Sequence, residues 1–185
     1  MKKRLFVVLA LLLAMPALPA RAEVVLFQAP DIIKAAAADD VETIRLLLGR
    51  GTNPDMADAR GRTALIHAVN NGSVELVDLL LTHGARADTA DQVGNTSLMW
   101  AAEKGDPAVV ERLIEAGADV DKENRQGVTP LMAAARTGQA EAVRILLDAG
   151  ARVDKLDFTG RSALMWARDG RSQGVVAALE AAGGR

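Results

Sequence analysis

The residue types that could do chemistry are few. His67 and His83 are the only histidines, and the chain contains no cysteine. Disulfides, thiolate catalysis, cysteine-ligated zinc and a lipid-anchored cysteine are thereby excluded. A histidine acts as a base or metal ligand when another ligand or a carboxylate stands with it. Asp119-x-Asp121-x-Glu123 offers alternating acids of the kind that hold calcium. A calcium loop also needs a glycine at its sixth position and a bidentate Glu at its twelfth, and both are missing here. Trp100 and Trp166 remain, large rings that either fill the space between neighbouring helices or anchor a partner, being of the type enriched at interface hot spots. The glycines form no phosphate-cradling motif.

What positions these residues is a repeat. Gly61, Gly94, Gly127 and Gly160 stand 33 residues apart. So do Thr63, Thr96, Thr129 and Ser162; Leu65, Leu98, Leu131 and Leu164; and Ala68, Ala101, Ala134 and Ala167. Further along each unit come Val77, Val110, Val143 and Val176, then Leu80, Leu113, Leu146 and Leu179, then Gly84, Gly117, Gly150 and Gly183. Seven columns in register over four units define the architecture. They also place the candidates. His67 shares a column with Trp100, Ala133 and Trp166, whereas His83 falls at the end of a second helix, in a different column. The two histidines therefore do not form one site, and a structural role is expected for each.

Each column has a physical reason. Thr or Ser opens a first helix of about eight residues as its N-cap. Pro130 follows at N1, where its missing N–H costs nothing. Gly72, Gly105 and Gly138 end these helices in the left-handed region. Asp106-Pro107 is a cap-and-proline start for a second helix. Val77, Leu80 and Leu81 give the second helices an apolar stripe. Asp58, Asp91, Asn124 and Asp157 stand three residues before each turn glycine, where an Asx-turn is expected. Half of the residues are hydrophobic, but Phe and Trp together number five and there is no Tyr. That mass of Ala, Leu and Val suits packed helices better than a β-sandwich.

At these residues the chain resembles the ankyrin-repeat family. Gly127-Val128-Thr129-Pro130-Leu131-Met132-Ala133-Ala134-Ala135, followed by Gly138, Val143, Leu146, Leu147, Gly150 and Ala151, matches the family pattern apart from its histidine. Ile66, Met99, Met132 and Met165 stand in place of that histidine and trade its hydrogen bonds for packing. The resemblance implies an all-α solenoid of five helix-turn-helix units with degenerate terminal caps, and a non-catalytic protein-binding role.

The expected units are 23–57 as N-terminal cap, then 58–90, 91–123, 124–156, and 157–185 as C-terminal cap. Ile32, Ala35, Ile44, Leu47 and Gly51 fall on core columns of the first unit, while Pro30, Asp39 and Thr52 replace the usual Thr, Gly and Ala. In the last unit Gly170 and Arg171 are expected to shift the turn glycine, and Glu180 puts a charge where no further repeat needs covering.

Residues 1–22 differ from the rest. Lys2, Lys3 and Arg4 precede the apolar run Leu5 to Met15, and Ala20-Arg21-Ala22 is a small-x-small site. This reads as a Sec-type signal peptide cleaved before Glu23, giving a periplasmic product with no membrane attachment. Its loss removes four cations, so the formal net charge of −2 becomes −6. An acidic chain is a poor nucleic-acid binder.

The resemblance implies that binding residues lie at the turn tips and on the exposed side of the first helices. Here these are Arg60, Arg62, Asn70, Asn71, Gln92, Asn95, Trp100, Glu103, Lys104, Arg125, Gln126, Arg136, Phe158, Arg161 and Trp166, with Val93, Val128, Thr137, Thr159 and Asp169 among them. Counted with Arg168 and Glu123, this face holds seven cations against three acids, so a protein partner with an acidic surface is expected. Neither cofactor nor metal is expected, and the chain should be monomeric. The competing expectation, an enzyme or metal-dependent antioxidant of the periplasm, needs a His, Cys or carboxylate cluster that the sequence does not display.

Overall fold

The computed structural model describes residues 31–184. The expected export segment, 1–22, and its expected cleavage site lie outside the described residues. Ten helices follow in five pairs: α1 (Asp31–Ala37) and α2 (Val41–Gly49), α3 (Ala64–Asn71) and α4 (Val74–Thr82), α5 (Ser97–Lys104) and α6 (Pro107–Glu115), α7 (Pro130–Thr137) and α8 (Ala140–Asp148), α9 (Ala163–Asp169) and α10 (Gln173–Ala181). Among the described residues there is no strand. The isolated bridges Ala57–Thr63, Ala90–Thr96 and Leu156–Ser162 close three of the turns. No described helix is long and apolar enough to cross a membrane.

Local chemistry sets the helix starts. The hydroxyls of Thr63, Thr96, Thr129 and Ser162 accept the N–H of Ile66, Met99, Met132 and Met165 at 3.4, 3.3, 3.3 and 3.4 Å. Asp40 and Asp106 cap second helices in the same way, accepting from Thr43 and Val109 at 3.0 and 3.3 Å. Removing such a cap costs about 1 kcal/mol.

A helix this short is marginal alone and is held by its neighbours. First helices pack in file, α1 on α3, α3 on α5, α5 on α7 and α7 on α9, and the second helices form a parallel file behind them. Leu65, Leu98, Leu131 and Leu164 are buried between the files, with Leu80, Leu113, Leu146 and Leu179 facing them from the second helices. Ile66, Met99 and Met132, the residues standing for the family's histidine, are also buried.

The caps correct one expectation. The turn glycine of the last unit is not shifted. Gly170 is right-handed (φ −69°), and Arg171 itself takes the left-handed conformation (φ 55°) in the column of Gly138. Asp39 does the same in the first unit, also at φ 55°. The neighbouring helices impose the turn even where a side chain opposes it, at a cost of about 1–2 kcal/mol per residue.

Candidate functional site

The turns that carry the proposed binding residues are built on one side chain each. Asp58 accepts the N–H groups of Arg60 and Arg62 at 2.8 and 3.0 Å. Asp91 does so for Val93 and Asn95, both at 2.9 Å. Asn124 takes Gln126 and Val128 at 2.8 and 3.0 Å, and Asp157 takes Thr159 and Arg161 at the same two distances. One oxygen thus organises each Asx-turn, as the sequence spacing predicts.

The second oxygen answers a question the sequence left open. The Trp100 ring N–H donates to Asp91 Oδ2 at 3.1 Å, and the Trp166 ring N–H donates to Asp157 Oδ2 at 3.0 Å. His67 Nε2 lies 3.2 Å from Asp58 Oδ2. A carboxylate only accepts, so the proton of this pair sits on Nε2. The aromatic column is therefore a set of turn clamps. Both Trp rings are half-buried against the core, and each retains an exposed part. In the remaining unit the column holds Ala133, and the turn residue is an amide whose Nδ2 donates to Asn95 Oδ1 at 2.7 Å.

These contacts set the acidity of the turns. Burial pushes the Asp58 carboxyl up. The N–H groups of Arg62 and Arg60, the His67 ring and the Arg62 guanidinium overrule it and hold the pKa at about 2. Asp157 is also raised by burial, and is lowered on balance by the Thr159 hydroxyl, two main-chain N–H groups and Trp166.

Successive turns form a ladder. Gln92 N–H donates to the Arg60 carbonyl at 2.9 Å, Arg125 N–H to Val93 at 3.2 Å and Phe158 N–H to Gln126 at 3.0 Å. The approach is close enough to require glycine. A Cβ on Gly127 would stand 2.9 Å from the Phe158 nitrogen. The ladder fixes the main chain and leaves the tip side chains of Arg60, Val93, Arg125, Gln126 and Phe158 outward. Phe158 is 73% exposed and Val93 49%. Gln92 partly folds back, donating to the Ala59 carbonyl at 2.8 Å.

The cationic face divides in two. Arg62 pairs with Asp58 at 3.0 Å, Arg136 with Glu103 at 3.1 Å and Arg168 with Glu180 at 2.8 Å. Arg161 pairs with Asp169, and its guanidinium lies 3.9 Å over the Trp166 ring. Arg60, Lys104 and Arg125 make no ion pair among the described residues and are exposed. Asn71 is drawn into the scaffold, its amide donating to the Ala36 carbonyl at 2.9 Å; Asn70 is half-buried beside it.

The remaining chemical candidates are structural in their contacts. His83 Nδ1 lies 2.8 Å from the Leu79 carbonyl at the end of α4. Asp121 accepts the Arg152 N–H at 3.0 Å, as Asp55 accepts from Arg86 at 2.9 Å and Asp88 from Asp119 at 3.0 Å. The acids of the calcium-like run thus belong to a second inter-repeat ladder. Glu123 pairs with Lys155. No group of three His, Cys, Asp or Glu among the described residues is placed to hold a metal ion.

A search of curated proteins returned no match to the chain. A family model described as ankyrin repeats in three copies matches residues 32–124 and again residues 98–183. With those matches spanning the paired helices and their turn ladder, the chain belongs to the ankyrin-repeat family.

Proposed function

We propose that this chain is a non-catalytic protein-binding module of the cell envelope, exported by the segment 1–22 and cleaved before Glu23. Ankyrin repeats are protein-interaction modules, and the turn ladder supports that role here. It spends main-chain groups on rigidity and keeps tip side chains for a partner. Binding through rigid tips avoids much of the ordering cost that weakens flexible loops.

The partner's matching surface is acidic, and the recognition falls on Arg60, Lys104 and Arg125. Arg62, Arg136 and Arg161 already have carboxylates, so they add less. Arginine without an internal partner can take a carboxylate bidentately and speed association. Phe158, beside this set, supplies the apolar anchor.

The test is capture of a partner from envelope extract by protein beginning at Glu23, followed by affinity measurement. Reversing Arg60, Lys104 and Arg125 to Glu together should weaken binding by about tenfold or more in low salt, with the thermal midpoint almost unchanged. Unchanged affinity would move the binding surface elsewhere. N-terminal sequencing of the osmotic-shock fraction tests the export reading, and a membrane-bound product retaining Met1 would refute it.

A further inference from the structure

The two ends of the stack are unlike its sides. At every internal junction the following unit covers the residue standing for the family's histidine: Ile33, Ile66, Met99 and Met132 are 3%, 0%, 2% and 1% exposed. Met165, in the same column, is 43% exposed. The next acceptor of the turn ladder, the Thr159 carbonyl, has no main-chain donor among the described residues, and nothing stands within 4 Å of a Cβ placed on Gly160. Among the described residues, the C-terminal end therefore carries the docking features of an internal junction, uncovered.

The opposite end shows the complementary defect. Second-helix residues in the column of Leu46 face the preceding unit. Arg112 in that column reaches back to Asp78 at 3.4 Å, and Leu79 and Ile145 are 9% and 8% exposed. Leu46 is 60% exposed. The charges at the two ends also differ. Asp31 stands in the column of Ala64, Ser97, Pro130 and Ala163, all buried against the preceding unit, and Glu42 stands in the column of Glu75, which receives Arg45 from the preceding unit at 3.6 Å. Asp31 pairs with Lys34 at 3.3 Å and Glu42 with Arg45 at 3.9 Å, but both carboxylates stay largely exposed. At the C-terminal end Arg168, paired with Glu180 at 2.8 Å, stands in the column of Ala36, Val69, Ala102 and Ala135, all buried where a following unit is present. With Arg171, Val176, Ala177 and Glu180 it lines a shallow open depression.

We propose that copies of this chain associate head to tail, the α1–α2 end of one seating on the α9–α10 end of the next. The interface continues the internal junction. Leu46 enters the depression over Val176 and Ala177, the adjoining apolar surface covers Met165, and the acidic Asp31, Asp40 and Glu42 face the end that carries Arg168 and Arg171. A second copy is the occupant because exposed apolar residues and opposite charge fall on the two opposite ends of one chain. This proposal departs from the monomer expected from sequence. It concerns the ends of the stack, so it stands apart from partner binding at the tips. The interface is heterologous and does not close on itself, so it builds chains of copies rather than a dimer. One repeat end is small by the standard of stable interfaces, so the association is weak and concentration-dependent.

Sedimentation equilibrium of the purified protein over a wide concentration range tests this. The average mass should rise above that of one copy without levelling at two copies, and the rise should shrink in high salt. Leu46→Arg and Met165→Arg each spoil one end at an exposed position, so folding should survive, which circular dichroism checks. Each variant alone should stay at single-chain mass. Mixed in equal amounts they should form a species that stops at two copies, because only one competent junction remains. A wild-type protein that stays at single-chain mass at every concentration overturns the proposal. So does a plateau at two copies that either single variant leaves intact, since that would be a face-to-face dimer.

Discussion

The turns at 91–96 and 124–129 make the same bend with different chemistry. In the first, Asp91 gives one oxygen to two main-chain N–H groups and the other to the Trp100 ring. In the second, Asn124 does the same main-chain work, has no ring to meet in the Ala133 column, and hands its own N–H to Asn95. Both side chains are buried to the same degree, each 8% exposed. The difference teaches that these two columns are one choice. A buried carboxylate requires a donor for its second oxygen, and an amide requires an acceptor for its nitrogen. Asp58 with His67 and Asp157 with Trp166 follow the first pattern.

The largest effect should come from removing what the two turns share. Asp91→Ala and Asn124→Ala each strand two main-chain N–H groups, and each should lose about 2–4 kcal/mol in urea unfolding. If only the Asp variant suffers, the ring contact rather than the main-chain bonds holds the turn.

Exchanging the partners should sharpen the contrast. Asp91→Asn sets an amide N–H against the Trp100 ring N–H, and Asn124→Asp sets a carboxylate against Asn95 Oδ1. Each should cost about 1–3 kcal/mol. Adding Ala133→Trp to Asn124→Asp should recover part of that loss, which a double-mutant cycle measures. An additive cycle would show that the two columns vary independently.

Acid should separate the turns next. The folded pKa of Asp58, about 2, lies below its ordinary 3.8. Its contribution is therefore complete above about pH 4 and is lost as pH falls toward 2, on the order of 1–2 kcal/mol. Asp157 is lowered too and acts in the same sense, while Asn124 does not titrate. Urea stability that stays flat from about pH 5 down to pH 2 would overturn that contribution.

The smallest effect lies at the caps. Arg171→Gly relieves a left-handed side chain, partly offset by the freedom glycine regains on unfolding, and should raise stability by about 0.5–1 kcal/mol. The same substitution made at a right-handed cap residue such as Ala149 should not help, and a gain there would undo the explanation.

Much of the scaffold was legible because it obeys a fixed spacing. The caps at Thr63, Thr96, Thr129 and Ser162 and the Asx-turns stand where the columns put them. The ring clamps were missed because a bond from residue i to i+9 crosses a turn and a helix and leaves no local pattern. The trace was in the pairing of columns, Asp with His or Trp and Asn with Ala. Arg171 was misread because residue preference was weighed without the pressure of packed neighbours. The division of the arginines into paired and unpaired could not be read at all, since Arg136 and Glu103 meet across two units.

The Asn95–Asn124 bond also bears on how such an array can change its length. A carboxylate clamped by a ring from its own unit carries its requirements with it, so the unit can be excised or copied whole. Asn124 cannot move so freely, because its acceptor belongs to the preceding unit. Deleting 124–156 would leave Asp157 with Trp166. Deleting 91–123 would set Asn124 against Arg62, donor against donor. Units that look interchangeable by their columns are therefore unequal as genetic modules, and this array shortens more easily from one side of that bond than from the other.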